Sequence, residues 1–195
     1  MKILLDNGHG KETAGKRSPD GRLKEWQWTR EIAKMLEERL IGLGYDAERI
    51  VPEDNDVYLG ERCRRVNAVC DKVGIKNVCL VSIHVNAVGK GDRWYKISGF
   101  SSHIYKYAGN KSRQLAQMLF NEAEASGLKG TLNTPVDRYW ASDFYILKKT
   151  KCCAVLTENL FQDNMSDVDF LLSDQGKNVI VNIHLKAIIN YIKTV

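Results

Sequence analysis

The chain has 195 residues, 44% of them hydrophobic and 27% charged, with only three prolines. That fits one folded domain with a single sizeable core and excludes a disordered, collagenous or two-domain chain. Its 29 basic and 24 acidic residues leave a formal charge of +5, which favours an anionic polymer but falls short of the dense basic stripe of a nucleic-acid binder, so no nucleic-acid partner is expected.

In chain order, the first β-like run covers residues 2–6 (KILLD) and is followed directly by Asp6-Asn7-Gly8-His9-Gly10. A glycine- and asparagine-bearing loop over 7–21 leads to a helix beginning near Trp26, where Trp28, Ile32, Leu36 and Leu40 step by four. A second β-like run spans 45–51. A helical stripe follows at 59–73, carrying Leu59, Cys63, Val66, Cys70 and Val73. The most hydrophobic strand, 78–83 (VCLVSI), ends at His84 and opens a second loop over 86–99. Further runs are expected at 98–105, 143–147 (DFYIL) and 153–157 (CAVLT), the last closing on Glu158. Helices are expected through Leu115, Leu119 and Ala123 and through Ile180, Ile183, Ala187, Ile188 and Tyr191.

Strands alternating with helices predict an α/β fold, a three-layer α/β/α arrangement around a mostly parallel twisted sheet of about six strands. Residues 1–195 read as one domain with no separate second module. The five cysteines form no C-x-x-C pair and sit in apolar stripes, so buried, reduced thiols are expected. No apolar run reaches the ~18 residues of a membrane span, and the opening Met-Lys-Ile-Leu-Leu-Asp turns polar too soon for a signal peptide. No stable membrane insertion is expected.

His9, His84 and Glu158 each stand at the carboxyl end of a predicted strand, where open α/β sheets place their ligands. Two neutral imidazoles and a carboxylate make an open zinc site with a fourth position for water. On proximity alone Glu12, Glu25 and Glu31 are equal rivals for the third ligand.

The blocks DNGHG, GRLKE, LGERCRRVN, SIHVNA, SGF, FYILKKT and VLTENLFQDN, in this order over nearly the whole chain, resemble those of the zinc-dependent N-acetylmuramoyl-L-alanine amidases of the amidase-3 type. The resemblance implies His9, Glu25 and His84 as ligands of one Zn²⁺ per chain and Glu158 as the catalytic acid/base. It implies hydrolysis of the amide between the lactyl group of N-acetylmuramic acid and L-alanine of the peptidoglycan stem peptide. The expected partner is peptidoglycan, and the expected state a monomer. Action on the cell wall is expected, by a protein made in the cytoplasm and released as a lysin or by a processed fragment.

The sequence departs from the family in two places. Gly8-His9-Gly10-Lys11 stands where the family has a double glycine after the histidine, and Thr157-Glu158-Asn159 makes the setting of the acid more polar. The stretch 128–153 is too short for the plug helix of some exported relatives. Two rivals share the site chemistry: another zinc peptidase acting on cell-wall peptides, against which the missing H-x-x-E pairing counts, and a non-catalytic wall-binding module. Arg62 and Asn67 are read mainly as structural, Asn86 as a loop cap or a substrate contact, His103 and His184 as packing or surface residues, and Trp94 and Trp140, in the irregular loops, as core filling or as faces that stack on a sugar or peptide.

Overall fold

The computed structural model describes residues Met1–Val195. The elements are β1 (Lys2–Asn7), α1 (Glu25–Gly42), β2 (Asp46–Arg49), α2 (Leu59–Val73), a 3₁₀ turn (Ile75–Asn77), β3 (Val78–Asn86), β4 (Phe100–Tyr105), α3 (Asn110–Ala125), β5 (Trp140–Ser142), α4 (Tyr145–Lys149), β6 (Cys153–Phe161), α5 (Met165–Leu172) and α6 (Asp174–Ile192). The six strands form one sheet in the order β2-β1-β3-β6-β4-β5. Every neighbouring pair is parallel except β4 with β6.

Alternation along the strands divides the core between the two sheet faces. Ile3, Leu5, Val81 and Ile83 point into the larger cluster, which receives Trp28, Ile32, Leu36 and Leu40 of α1, Leu115 and Leu119 of α3, and Ile180, Ile183 and Ile188 of α6. Leu4, Leu80 and Leu156 point the other way, against Cys63, Val66 and Cys70 of α2 and Ile146 and Leu147 of α4. Helices on both faces of a mostly parallel sheet make the three-layer α/β/α arrangement. No helix is long and apolar enough to cross a membrane.

The run at 143–147 is not a strand. The carbonyl of Phe144 accepts the amides of Leu147 and Lys148 at 3.1 and 2.9 Å, and the resulting turn of α4 sends the consecutive Ile146 and Leu147 into one cluster. A strand would split those neighbours between opposite faces. The edge strand is instead the three-residue β5. α5 has no counterpart among the sequence-predicted elements. It is capped by Asn164, whose side chain accepts the amide of Asp167 at 3.1 Å.

All five cysteines are free; Cys63, Cys70 and Cys79 are buried and Cys152 and Cys153 partly so. His184 is fully buried on α6, 2.9 Å from Thr157 Oγ1 and 2.8 Å from the Ile180 carbonyl. Burial pushes its imidazole down to about 4, so it packs as a neutral residue. Asn67 ties α2 to the α4–β6 connection through Lys149 O and the amide of Lys151, both at 2.9 Å.

Candidate metal centre

The carboxyl ends of β1, β3 and β6 share one sheet edge, because these three strands are mutually parallel. His9 follows β1 by two residues, His84 lies near the end of β3, and Glu158 is the ladder partner of His84 on β6. Glu25 opens α1 and is buried, its side chain only 1% exposed, against 20% for His9 and 16% for His84. One potential ligand atom from each of His9, Glu25 and His84 falls within 4.8 Å of the others. Glu25 Oε1 lies 3.4 Å from His9 Nε2 and 3.2 Å from His84 Nδ1, and the two imidazole rings stand perpendicular with centroids 5.0 Å apart.

The structure separates Glu25 from its two rivals. Glu12 accepts the amide of Asp56 at 2.9 Å, and Glu31 pairs with Lys177 of α6 at 2.7 Å. The loop before α1 delivers Glu25 inward: Glu25 N donates to Lys16 O at 2.9 Å, and Thr29 Oγ1, one turn later, donates to Gly8 O at 3.0 Å. Glu25 Oε1 also accepts the amide of Val85 at 3.0 Å.

The His9 turn is held on its far side. His9 has a left-handed backbone, φ 61°, rare outside glycine and its polar substitutes. Its carbonyl accepts Arg30 Nη1 at 3.0 Å and Arg62 Nη2 at 2.9 Å. Arg62 is itself buried, bonded to Asp6 Oδ1, Asn7 O and Val57 O, all at 2.7 Å. Asp6 in turn accepts Ser82 Oγ at 2.5 Å. Lys11, where the family has glycine, is accommodated because the turn is stitched outward. Lys11 N donates to Asp54 O at 2.9 Å and Thr13 Oγ1 to Asp56 Oδ2 at 2.6 Å. Arg30 carried no recognisable signal in the sequence, since its partners are carbonyls brought in by the fold.

Gly8 leaves room for His84. A Cβ there would meet the His84 ring at 2.4 Å, closer than carbon atoms pack. Gly8→Ala is therefore expected to displace His84 from Glu25 and weaken binding of a divalent metal at this cluster by about 10- to 100-fold, the range for disturbing a ligand's supporting shell. Titration against a chromogenic chelator checks it.

Burial works to raise the Glu25 carboxyl, but hydrogen bonds to His84 and His9 outweigh it and hold the group well below the usual range. A carboxylate buried between two imidazoles is well suited to hold a cation. Glu25 Oε2 is buried with no hydrogen-bond partner, an orphan acceptor that a divalent ion would satisfy. The donor set, two imidazoles and a carboxylate, is one that open zinc sites use. Glu158 differs in kind. Its Oε2 is also buried and unpartnered, and desolvation, with the Glu25 charge adding and His84 opposing, pushes its carboxyl up to about 7. The site opens on a cavity of about 230 Å³ lined by Asp6, His9, Tyr58, Leu59, Arg62 and His84.

Fold and site together define a three-layer α/β/α protein carrying a His–Glu–His candidate metal centre, with a free acid beside it, at the carboxyl edge of its sheet. Residues 3–190 match the model of the N-acetylmuramoyl-L-alanine amidase family, and the chain belongs to that amidase-3 family. It is 30% identical over 193 residues, 95% of its length, to the endolysin of Bacillus phage SPP1, covering 64% of that protein. It is 27% identical over 175 residues, 89% of its length, to the N-acetylmuramoyl-L-alanine amidase CwlM of Bacillus licheniformis, covering 61% of it. The chain thus spans less than two thirds of these two relatives. In fold it resembles the N-acetylmuramyl-L-alanine amidase Ami1 from Mycobacterium smegmatis, with a TM-score of 0.85 at 18% identity over 100% of this chain and 98% of that one.

Proposed function

We propose that this chain is a zinc-dependent N-acetylmuramoyl-L-alanine amidase domain. Its substrate is the peptidoglycan amide joining the lactyl group of N-acetylmuramic acid to L-alanine, and its place of action is the cell wall. The observation that carries the reading is the convergent His9–Glu25–His84 cluster, built on a buried Glu25, with Glu158 beside it, in a chain matching the amidase family over residues 3–190.

His9, Glu25 and His84 would hold one zinc ion, which supplies Lewis acidity toward water and the scissile carbonyl. Glu158 moves the protons. Burial raises its carboxyl above the ordinary range in the metal-free protein, and a group that both accepts and returns a proton serves as base and then acid. The carboxylate takes a proton from the water that attacks the carbonyl carbon. As the C–N bond breaks, the same proton goes to the departing nitrogen, leaving a lactyl carboxylate and a free L-alanine amine. Arg62 and Arg30 keep the His9 imidazole aimed at Glu25 by fixing its carbonyl.

Digestion of purified peptidoglycan tests the bond assignment. Whole stem peptides with L-alanine as a new amino terminus are expected, together with glycan strands bearing free lactyl groups. Release of single D-amino acids or internal peptide fragments would instead support a peptidase, and zinc-loaded protein that binds sacculi without solubilising them would support a binding module.

A further inference from the structure

The row of site residues continues sideways onto β4 and β5. Ser101 lies opposite Glu158 in the antiparallel ladder and His103 opposite Leu156, while Trp140 lies beside His103 in the parallel ladder. Ladder partners share a sheet face, so His84, Glu158, Ser101, His103 and Trp140 all stand on the face that α2 and α4 pack against. α4 covers Leu156 and Ala154 with Ile146 and Leu147. His103 and Trp140, beyond that cover, are only partly buried, and Phe144 is 39% exposed.

His103 is fixed from both sides, Nε2 3.0 Å from Ser101 Oγ and Nδ1 2.9 Å from Ser142 Oγ. Its ring lies 21° from the plane of Trp140 at 6.5 Å and packs on Phe144 at 5.3 Å. Burial, with the nearby His84 charge adding, pushes the imidazole down to about 4, so the ring is neutral. The proposed hydrolysis uses none of these three rings.

We propose that Trp140, His103 and Phe144 form a shelf that takes the face of a pyranose ring of the glycan strand, a sugar removed from the muramic acid whose amide is cut. The identity of the strand rests on the amidase reading. The shelf itself rests on chemistry: uncharged, partly exposed aromatic faces suit the C–H face of a neutral sugar. The bordering lysines, Lys106 and Lys148, are both drawn to Asp143, at 3.7 and 3.5 Å, which makes the shelf a poor receptor for the carboxylates of a stem peptide. Two strand spacings and two residues along the strand put Trp140 about 10–12 Å from Glu158, within reach of a strand whose muramic acid sits at the metal centre.

The test is to titrate the zinc-loaded protein with the β-1,4-linked tetramer of N-acetylglucosamine, following tryptophan fluorescence. It is paired with kinetics on a single-sugar muramoyl peptide and on an oligosaccharide-borne one. Trp140→Ala is expected to weaken tetramer binding by about three- to tenfold, the worth of one aromatic contact. It should raise KM for the oligosaccharide substrate by a similar factor with little change in kcat, and His103→Phe, which keeps the ring, should retain most of the binding. The proposal is overturned if wild-type protein does not bind the tetramer, if Trp140→Ala binds it like wild type, or if both substrates suffer equally. The tetramer has no lactyl amide, so binding through Trp140 by a protein that cuts no wall would overturn the amidase reading and leave the shelf standing.

Discussion

Glu158→Gln is expected to lower turnover by at least about 10²–10⁴-fold, the usual contribution of a positioned acid/base, while zinc content stays at one ion per chain. The substitution keeps the shape of the side chain and removes only its proton chemistry. Because Glu158 lies outside the set of three whose ligand atoms converge, metal analysis and kinetics should separate cleanly. The same variant has a signature in the metal-free protein. The Glu158 carboxyl rises from an ordinary 4.5 to about 7 through burial, so the unfolded chain releases its proton first as pH increases. Stability that this group contributes at acid pH is therefore lost between about 4.5 and 7. Urea unfolding of chelator-treated protein should show wild type losing stability over that window relative to Glu158→Gln. An active Glu158→Gln enzyme would remove the residue from the mechanism.

Arg62→Met is expected to cost about 3–5 kcal/mol of stability, because it leaves the buried Asp6 carboxylate without its cation. It also withdraws donors from the Asn7, His9 and Val57 carbonyls. Changing Asp6 and Arg62 together to apolar residues should cost much less than the two single changes summed, since no unpaired charge is then left buried. Zinc affinity should not recover in that double variant, because the His9 carbonyl still lacks its Arg62 donor. Arg62→Lys separates the two roles from the other direction: it restores a cation to Asp6, but a lysine cannot reproduce the fork that reaches four oxygens. Chemical unfolding and chelator competition on the same preparations measure both effects. Equal zinc affinity in wild type and the double variant would show that the tether does not organise the centre.

What the sequence made legible follows from the range of the interactions involved. His9, His84 and Glu158 were readable because each ends an apolar run, and parallel strands bring such ends together whatever the loops do. Glu25 was not separable by pattern. Glu12, Glu25 and Glu31 all lie near His9 in sequence, and only the contacts with Asp56, Lys177 and Val85 assign them different places. The family resemblance pointed to Glu25, and that is the glutamate whose carboxylate lies within 4.8 Å of the ligand atoms of His9 and His84. The 143–147 run failed as a strand because five apolar-rich residues do not distinguish a turn of helix from a strand. α5 did carry a signal in Asn164 followed three residues on by Asp167, but its two turns are too short for periodicity to register. Arg62 was read as structural, and it is buried and paired. Its hold on the His9 carbonyl depends on a backbone twist at His9 that no sequence pattern displays.

The most direct test of the account is removal and return of the metal. Exhaustive chelation should abolish release of L-alanine amino termini from peptidoglycan, and one equivalent of zinc should restore it in wild type. Glu25→Ala, folded by circular dichroism, should bind no stoichiometric zinc and recover nothing. Full wall-cutting activity in protein shown to be metal-free, or in Glu25→Ala, would contradict the assignment of His9, Glu25 and His84 as the centre on which the reaction depends.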